Sequence, residues 1–161
     1  MSGLVSIVIP VYNGMPFLVE AVGSALAQDY PDIEVVVVEN HSSDDGAAWL
    51  RSVEDPRLRV VFRDSTQPAA ANWTQAVAES SGQFVKLMCA DDLITRDAIS
   101  RQVALLRANP AAVLAASRRR IIDERGEVLK ASHGLGRLRG AVSGTDAVRD
   151  CLLAERVRAG E

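Results

Sequence analysis

The chain has 161 residues, 48% hydrophobic and 24% charged, with a formal net charge of −3. A chain of that size can bury roughly 70% of its unfolded surface and needs no staples, and its slightly acidic balance argues against nucleic-acid binding as the main task. Cys89 and Cys151 belong to no CxxC or Cys/His ligand pattern, so both are expected as reduced core residues of a cytoplasmic chain. The start, MSGLVSIVIPVYNG, carries no basic leader. No run reaches the roughly 18 apolar residues that span a bilayer, so any membrane contact is expected to be peripheral.

Leu4 to Val11 is almost continuously apolar and β-branched, which predicts a strand covered on both faces. Tyr12-Asn13-Gly14 then permits a turn, and Pro16 suits the first turn of a helix reaching about Ala27 with Phe17, Leu18, Ala21, Val22 and Ala25 as its apolar stripe. Ile33 to Val38 reads as a second buried strand. It runs into the polar loop Glu39-Asn40-His41-Ser42-Ser43-Asp44-Asp45-Gly46, where Ser43 or Asp44 can cap a short helix. Leu58 to Phe62 predicts a third strand. Pro68 to Ser80 predicts a helix with Trp73 on its core side, stopped by Ser81-Gly82.

Phe84 to Met88 predicts a fourth buried strand, too short to be a helix, ending at the adjacent acids Asp91 and Asp92. The helix beginning near Arg96 offers a simple use for Asp92 or Thr95 as its cap. Ala98 to Asn109 predicts an amphipathic helix using Ile99, Val103, Leu105 and Leu106. Ala111 to Ser117 is a candidate fifth strand, and Ile121 to Leu129 a hairpin about Asp123-Glu124-Arg125-Gly126. Lys130 to Gly144 reads as a polar, glycine-rich loop, followed by a helix from Ser143 or Thr145 to about Val157. Alternation of strand and helix predicts an α/β fold with a mainly parallel sheet and helices on both faces. The whole of 1–161 is expected as a single domain, with 1–117 as its core and 118–161 as an irregular extension.

Ligand sites of such sheets lie past the carboxyl ends of strands. The first strand is not followed by G-x-G-x-x-G, and no G-x-x-x-x-G-K-[ST] occurs, which sets aside dinucleotide and P-loop sites. A flavodoxin-like receiver would carry its acids after the first and third strands, whereas here they follow the second and fourth. Two adjacent carboxylates offer hard oxygen donors for Mg²⁺ or Mn²⁺. Arg118-Arg119-Arg120 is a basic cluster able to meet diphosphate or anionic lipid, although a solvated strand end explains it more simply. His41 and His133 read as loop residues.

Four segments, SIVIPVYNG, VVVVENHSSDDG, AANW and KLMCADDL, stand in an order and spacing that resembles family 2 glycosyltransferases of the GT-A fold. The resemblance covers about the first 100 residues. It implies a three-layer α/β/α nucleotide-diphospho-sugar transferase fold, of which this chain carries the donor-binding half. The implied function is transfer of a sugar from a nucleoside-diphosphate sugar, UDP-linked or otherwise, to an acceptor hydroxyl, with inversion and with help from Mn²⁺ or Mg²⁺. It also implies a nucleotide site formed by Pro10, Tyr12, Asn13, Glu39, Asn72 and Asp91, and metal ligation by Asp92 and Asp91. Glu39 stands where the family usually has aspartate, and Cys89 where many members have the first acid of the D-x-D-like motif. The resemblance matches no general base here, and Asp123, Glu124 and Glu127 do not fit that role. The implied acceptor is a saccharide or a lipid-linked one, met in the cytoplasm or at the inner membrane face. A non-catalytic nucleotide-sugar-binding module completed by a partner chain is the alternative, and a homo-oligomer stays open.

Overall fold

A computed structural model of the chain describes residues 3–136 and 138–150. The elements run β1 (Val5–Val11), α1 (Phe17–Leu26), β2 (Ile33–Glu39), α2 (Gly46–Ser52), β3 (Leu58–Phe62), α3 (Ala69–Ala78), β4 (Phe84–Leu87), α4 (Ala98–Ala108), β5 (Arg119–Ile122) and β6 (Val128–His133). The chain divides into two compact units, Met1–Arg101 and Gln102–Glu161.

The first unit is an α/β layer structure. Its four strands are ordered β3-β2-β1-β4 and all pair in parallel. Both β1 and β2 are buried almost throughout, as their unbroken Val/Ile runs require. Parallel crossovers are right-handed, so α1 and α2, which step from β1 towards β3, share one face, and α3, which steps back to β4, takes the other. Side-chain contacts agree. Ala76 of α3 closes a cluster with Val8, Val36 and Val38. A Cβ added at Gly46 of α2 would stand 3.3 Å from Leu18 of α1. The buried face of α1 is Leu18, Ala21, Val22 and Ala25. Each such apolar side chain contributes about 1.5–3 kcal/mol when fully buried, alanines less.

Residue parity along β1 divides its peptide groups between the two neighbouring strands. Phe84 N–H donates to Leu4 O at 3.2 Å and Met88 N–H to Val8 O at 3.0 Å, so even-numbered residues of β1 turn their peptide groups to β4. Val5 N–H donates to Asp32 O and Val11 O accepts Asn40 N–H, both at 2.9 Å, so odd-numbered residues turn to β2.

Several expectations need correction. β4 ends at Leu87, lies at the edge of the sheet among the described residues, and exposes Val85 and Leu87 on one face. Cys89 consequently lies beyond the strand and is half-buried rather than in the core. Cys151 lies outside the described residues. Glu39 is the last residue of β2 and buried, so it is not a loop acid. Pro10 lies inside β1, buried and in register with Val38, and not in the loop beyond the strand. Trp73 is 43% exposed, because α3 buries only Asn72 and Ala76. Phe17 and Leu105 are likewise exposed. Residues 111–117 form no strand. The segment is alanine-rich, and Val113 is 98% exposed.

The second unit contains the antiparallel pair β5–β6, which turns at Asp123 to Gly126. Asp123 Oδ1 accepts the N–H groups of Arg125 and Glu127, both at 2.9 Å, and Gly126 supplies the positive φ of 79° that the turn needs. β6 continues to His133, so the first part of the predicted loop is strand. Residues 144–150 are helical, and Ser143 Oγ accepts Asp146 N–H at 3.1 Å, as a capping serine does. The rest of that predicted helix lies outside the described residues.

Candidate donor-binding site

The sheet order places β2 and β4 on either side of β1, so the connections leave β1 in opposite directions. Such a switch point opens a crevice at the carboxyl ends of the strands, where open α/β sheets bind ligands. Three loops meet at this edge. They follow β1 (Tyr12 to Pro16), β2 (Asn40 to Asp45) and β4 (Met88 to Asp97).

The β1 and β2 loops are laced together. Asn13 N–H donates to Ser42 Oγ at 3.0 Å, Ser43 N–H returns to Asn13 Oδ1 at 2.9 Å, and Met15 N–H donates to Asp44 Oδ2 at 2.8 Å. Asn13 adopts φ 51°, a left-handed conformation that asparagine tolerates better than most residues. The same Asp44 carboxylate accepts Gly46 N–H at 3.0 Å through Oδ1, at the start of α2. Ser42 and Asp44 thus shape the loop. On its other side the β2 loop is bound to the β3–α3 connection. Asn40 Nδ2 donates to Gln67 O at 2.8 Å, and Gln67 N–H donates back to Asn40 Oδ1 at 2.9 Å. The β4 loop closes on the β1 loop at Gly14, where an added Cβ would stand 3.3 Å from Ala90 Cβ.

Glu39 serves this loop directly. Its Oε1 accepts Ser42 N–H at 2.7 Å and its Oε2 accepts His41 N–H at 3.2 Å. The carboxylate takes two successive backbone donors, and His41 has φ 56° where they are presented. A carboxylate keeps further lone pairs after two such bonds. Asn72, on α3, is buried beneath the same tips. Its Nδ2 faces Val11 O and Val38 O at 3.4 Å each, and its Oδ1 has no hydrogen-bond partner among the described residues. Tyr12 is 55% exposed and projects from the end of β1.

Asp91 and Asp92 are both exposed in the turn past β4, which is closed by Asp92 N–H to Cys89 O at 3.2 Å. Neither acid caps α4. Thr95 Oγ1 donates instead to Asp97 Oδ1 at 2.8 Å, ahead of the helix start at Ala98. The salt bridges among the described residues include neither acid. Burial raises the Cys89 thiol pKa, and the charges of Asp92 and Asp91 and a hydrogen bond to Asp92 raise it further. Two exposed carboxylates with no salt-bridge partner among the described residues supply hard oxygen donors that suit Mg²⁺ or Mn²⁺. No group of three or more His, Cys, Asp or Glu side chains assembles among the described residues, so such an ion would draw its remaining ligands from water and substrate.

The sequence reading missed Asn40 and Gln67. The available signal was an asparagine directly after a buried strand, facing a polar Gln-Pro at a helix start.

Fold and site together define a parallel α/β protein whose acid-bearing loops gather at a sheet switch point. The chain belongs to glycosyl transferase family 2, whose model matches residues 6–154. Among its relatives, the glycosyltransferase GlyG of Streptococcus pneumoniae is 30% identical over 62% of this chain. The putative teichuronic acid biosynthesis glycosyltransferase TuaG of Bacillus subtilis is 29% identical over 64%. The mannosyltransferase PcManGT of Pyrobaculum calidifontis, solved in complex with GDP-Man and Mn²⁺, aligns over 74% of the chain with 26% identity and a TM-score of 0.65. The S. aureus protein TarS 1-349 aligns over 66% with a TM-score of 0.61 at 24% identity, which speaks to fold. The chain spans 34% of GlyG, 42% of TuaG and 36% of the mannosyltransferase.

Proposed function

We propose that this chain forms the donor half of a metal-assisted, inverting glycosyltransferase that takes a nucleoside-diphosphate sugar. The observation that carries this reading is the convergence of three loops at the switch point, with Asn13-Gly14 touching both the Glu39 loop and the Asp91–Asp92 turn. In this reading Tyr12 lies along the nucleotide, and Asn13 and Glu39 hold the loop that receives the base, with Glu39 lone pairs left for a base N–H. Asn72 supports the strand tips from below, and Pro10 acts through the strand. Asp92 and Asp91 hold Mn²⁺ or Mg²⁺, with Asp91 also within reach of the ribose. The ion, when bound, supplies neutralisation of the donor diphosphate and of charge developing on the leaving nucleoside diphosphate. The acceptor hydroxyl oxygen would bond to the anomeric carbon as the bond to diphosphate breaks, the nucleoside diphosphate leaving with the electron pair and the hydroxyl proton passing to a base outside the residues assigned here.

UDP- and GDP-sugars are the first donors to test, since a solved neighbour holds GDP-Man with Mn²⁺ and others hold UDP or UDP-GlcNAc. A saccharide or lipid-linked acceptor, met in the cytoplasm or at the inner membrane face, completes the reading. No helix among the described residues is long and apolar enough to cross a membrane.

A second reading, a donor-binding module that needs a partner for turnover, is favoured by one observation. Asp123 in the hairpin uses its carboxylate to hold its own turn, and no residue is assigned as general base. A thermal-shift screen of nucleoside diphosphates and their sugars, with and without Mn²⁺, tests both, because a ligand of the folded state raises apparent stability by mass action. Stabilisation by one nucleotide with Mn²⁺ supports donor binding, and turnover assays with and without candidate partners then separate the two readings. No shift with any nucleotide contradicts both.

A further inference from the structure

We infer that Pro10 is a positioning residue for the Asp91–Asp92 turn, an inference that rests on the donor-site reading for its functional part. β1 is paired with β2 as far as Val11 and Glu39, but with β4 only as far as Val8 and Leu87. One further bond, Met88 N–H to Val8 O, closes the β4 side. By the parity of β1, residue 10 is the next to face β4. In a parallel ladder continuing the Val8–Leu87 pairing, its N–H would donate to the Met88 carbonyl, and its own carbonyl would accept Ala90 N–H. Proline has no N–H to give, so the ladder stops there.

Proline is normally confined to edge strands or bulges because it removes a ladder bond. β1 is central, yet from residue 10 onward its β4 side is an edge. The odd-numbered residues 9 and 11 face β2, so that ladder is untouched. Released from pairing, the chain turns through Cys89–Asp92 and leaves both acids exposed, while Ala90 comes back against Gly14. A donor at position 10 would draw Met88–Ala90 into the sheet and pull the acids away from the place they now hold.

The test combines amide hydrogen exchange with titration of UDP and GDP, each with and without Mn²⁺, on the native chain and Pro10→Ala. In the native chain, Met88 N–H is expected to exchange slowly and Ala90 N–H quickly; a slow Ala90 amide overturns the inference without any mutant. In P10A, the new amide at position 10 and the Ala90 amide are expected to be protected about tenfold over an open backbone. The gain in nucleotide affinity on adding Mn²⁺ should fall about tenfold, the scale of losing support behind a metal ligand, a loss larger than that of metal-free affinity. An unprotected amide at position 10, an undiminished Mn²⁺ effect, or equal losses with and without Mn²⁺ each overturn the inference. Failure of the native chain to bind either nucleotide strikes the donor-site reading instead, and the exchange data distinguish the two.

Discussion

The Asp44 carboxylate reaches out of the β2 loop and accepts the backbone N–H of Met15 at 2.8 Å, while its other oxygen holds Gly46 N–H at 3.0 Å. One side chain thus fixes the β1 loop, the β2 loop and the start of α2 to each other. Hydrogen bonds to a charged group contribute about 1.5–3 kcal/mol each. Asp44→Ala is expected to cost about 2–4 kcal/mol by urea denaturation, and Asp44→Asn less, since one amide oxygen remains an acceptor. Asn13→Ala removes the parallel tie to Ser43. A double-mutant cycle between positions 13 and 44 should show coupling of about 0.5–3 kcal/mol. Strict additivity would mean that the two loops are held independently.

Asn72 predicts an unusual order of severity. Its Nδ2 faces two carbonyl oxygens and its Oδ1 faces no donor among the described residues. Asn72→Asp buries a carboxylate against acceptors, so it should destabilise more than Asn72→Ala at pH 7, by about 1–3 kcal/mol. The new carboxyl would have its folded pKa raised above its unfolded value. Its penalty is therefore full at neutral pH and fades as pH falls and the group protonates, when its O–H can donate to one carbonyl. Thermal melts of both variants from pH 7 to pH 4 measure this, and a gap independent of pH would contradict it.

Glu34 gives a pH dependence of the opposite sign. Burial pushes its carboxyl up, but hydrogen bonds from Ser6 and Ser81 and the Arg59 charge outweigh burial and leave it below its ordinary value of 4.5. A lowered folded pKa contributes stability that is present above the unfolded value and is lost as pH falls through the folded one. The stability gap between the native chain and Glu34→Gln should be widest near neutral pH and narrow below pH 4.5. Urea midpoints measured at several pH values check the direction.

Cys89 reports on the acid turn. Burial and the neighbouring Asp92 and Asp91 raise its pKa, so little thiolate forms near pH 8. Asp92→Asn in a Cys151→Ser background should speed its alkylation by iodoacetamide at pH 8. An unchanged rate would mean that Asp92 does not set the field at the thiol.

The fold was largely readable because its inner strands have unmistakable patterns. LVSIVIPV and IEVVVV can only be covered on both faces, and the acids fell after the second and fourth strands as read. What the pattern hid was context. Phe84 to Met88 looks like an inner strand, yet β4 is an edge, and edge position is set by topology rather than composition. Trp73 and Leu105 carry core-type side chains at helical spacing, but neither helix buries them. Within the site, Glu39 was legible as an acid at the end of a buried strand, whereas the role of Asn40 was not. Their use, on backbone donors two and three residues ahead and on Gln67, depends on loop geometry that composition does not specify. Pro10 was readable only as part of a segment, because its effect appears once β1 has a neighbour on each side.

The most direct measurement is calorimetric titration of Mn²⁺, of UDP or GDP, and of both together, into the native chain, Asp91→Asn and Asp92→Asn. Carboxylates that need substrate phosphates to complete a cation shell predict weak Mn²⁺ binding alone and nucleotide affinity at least about tenfold higher with Mn²⁺. That gain should be lost in D92N and reduced in D91N. Mn²⁺ binding at full strength without nucleotide, or nucleotide binding indifferent to Mn²⁺ and to both substitutions, would contradict the account.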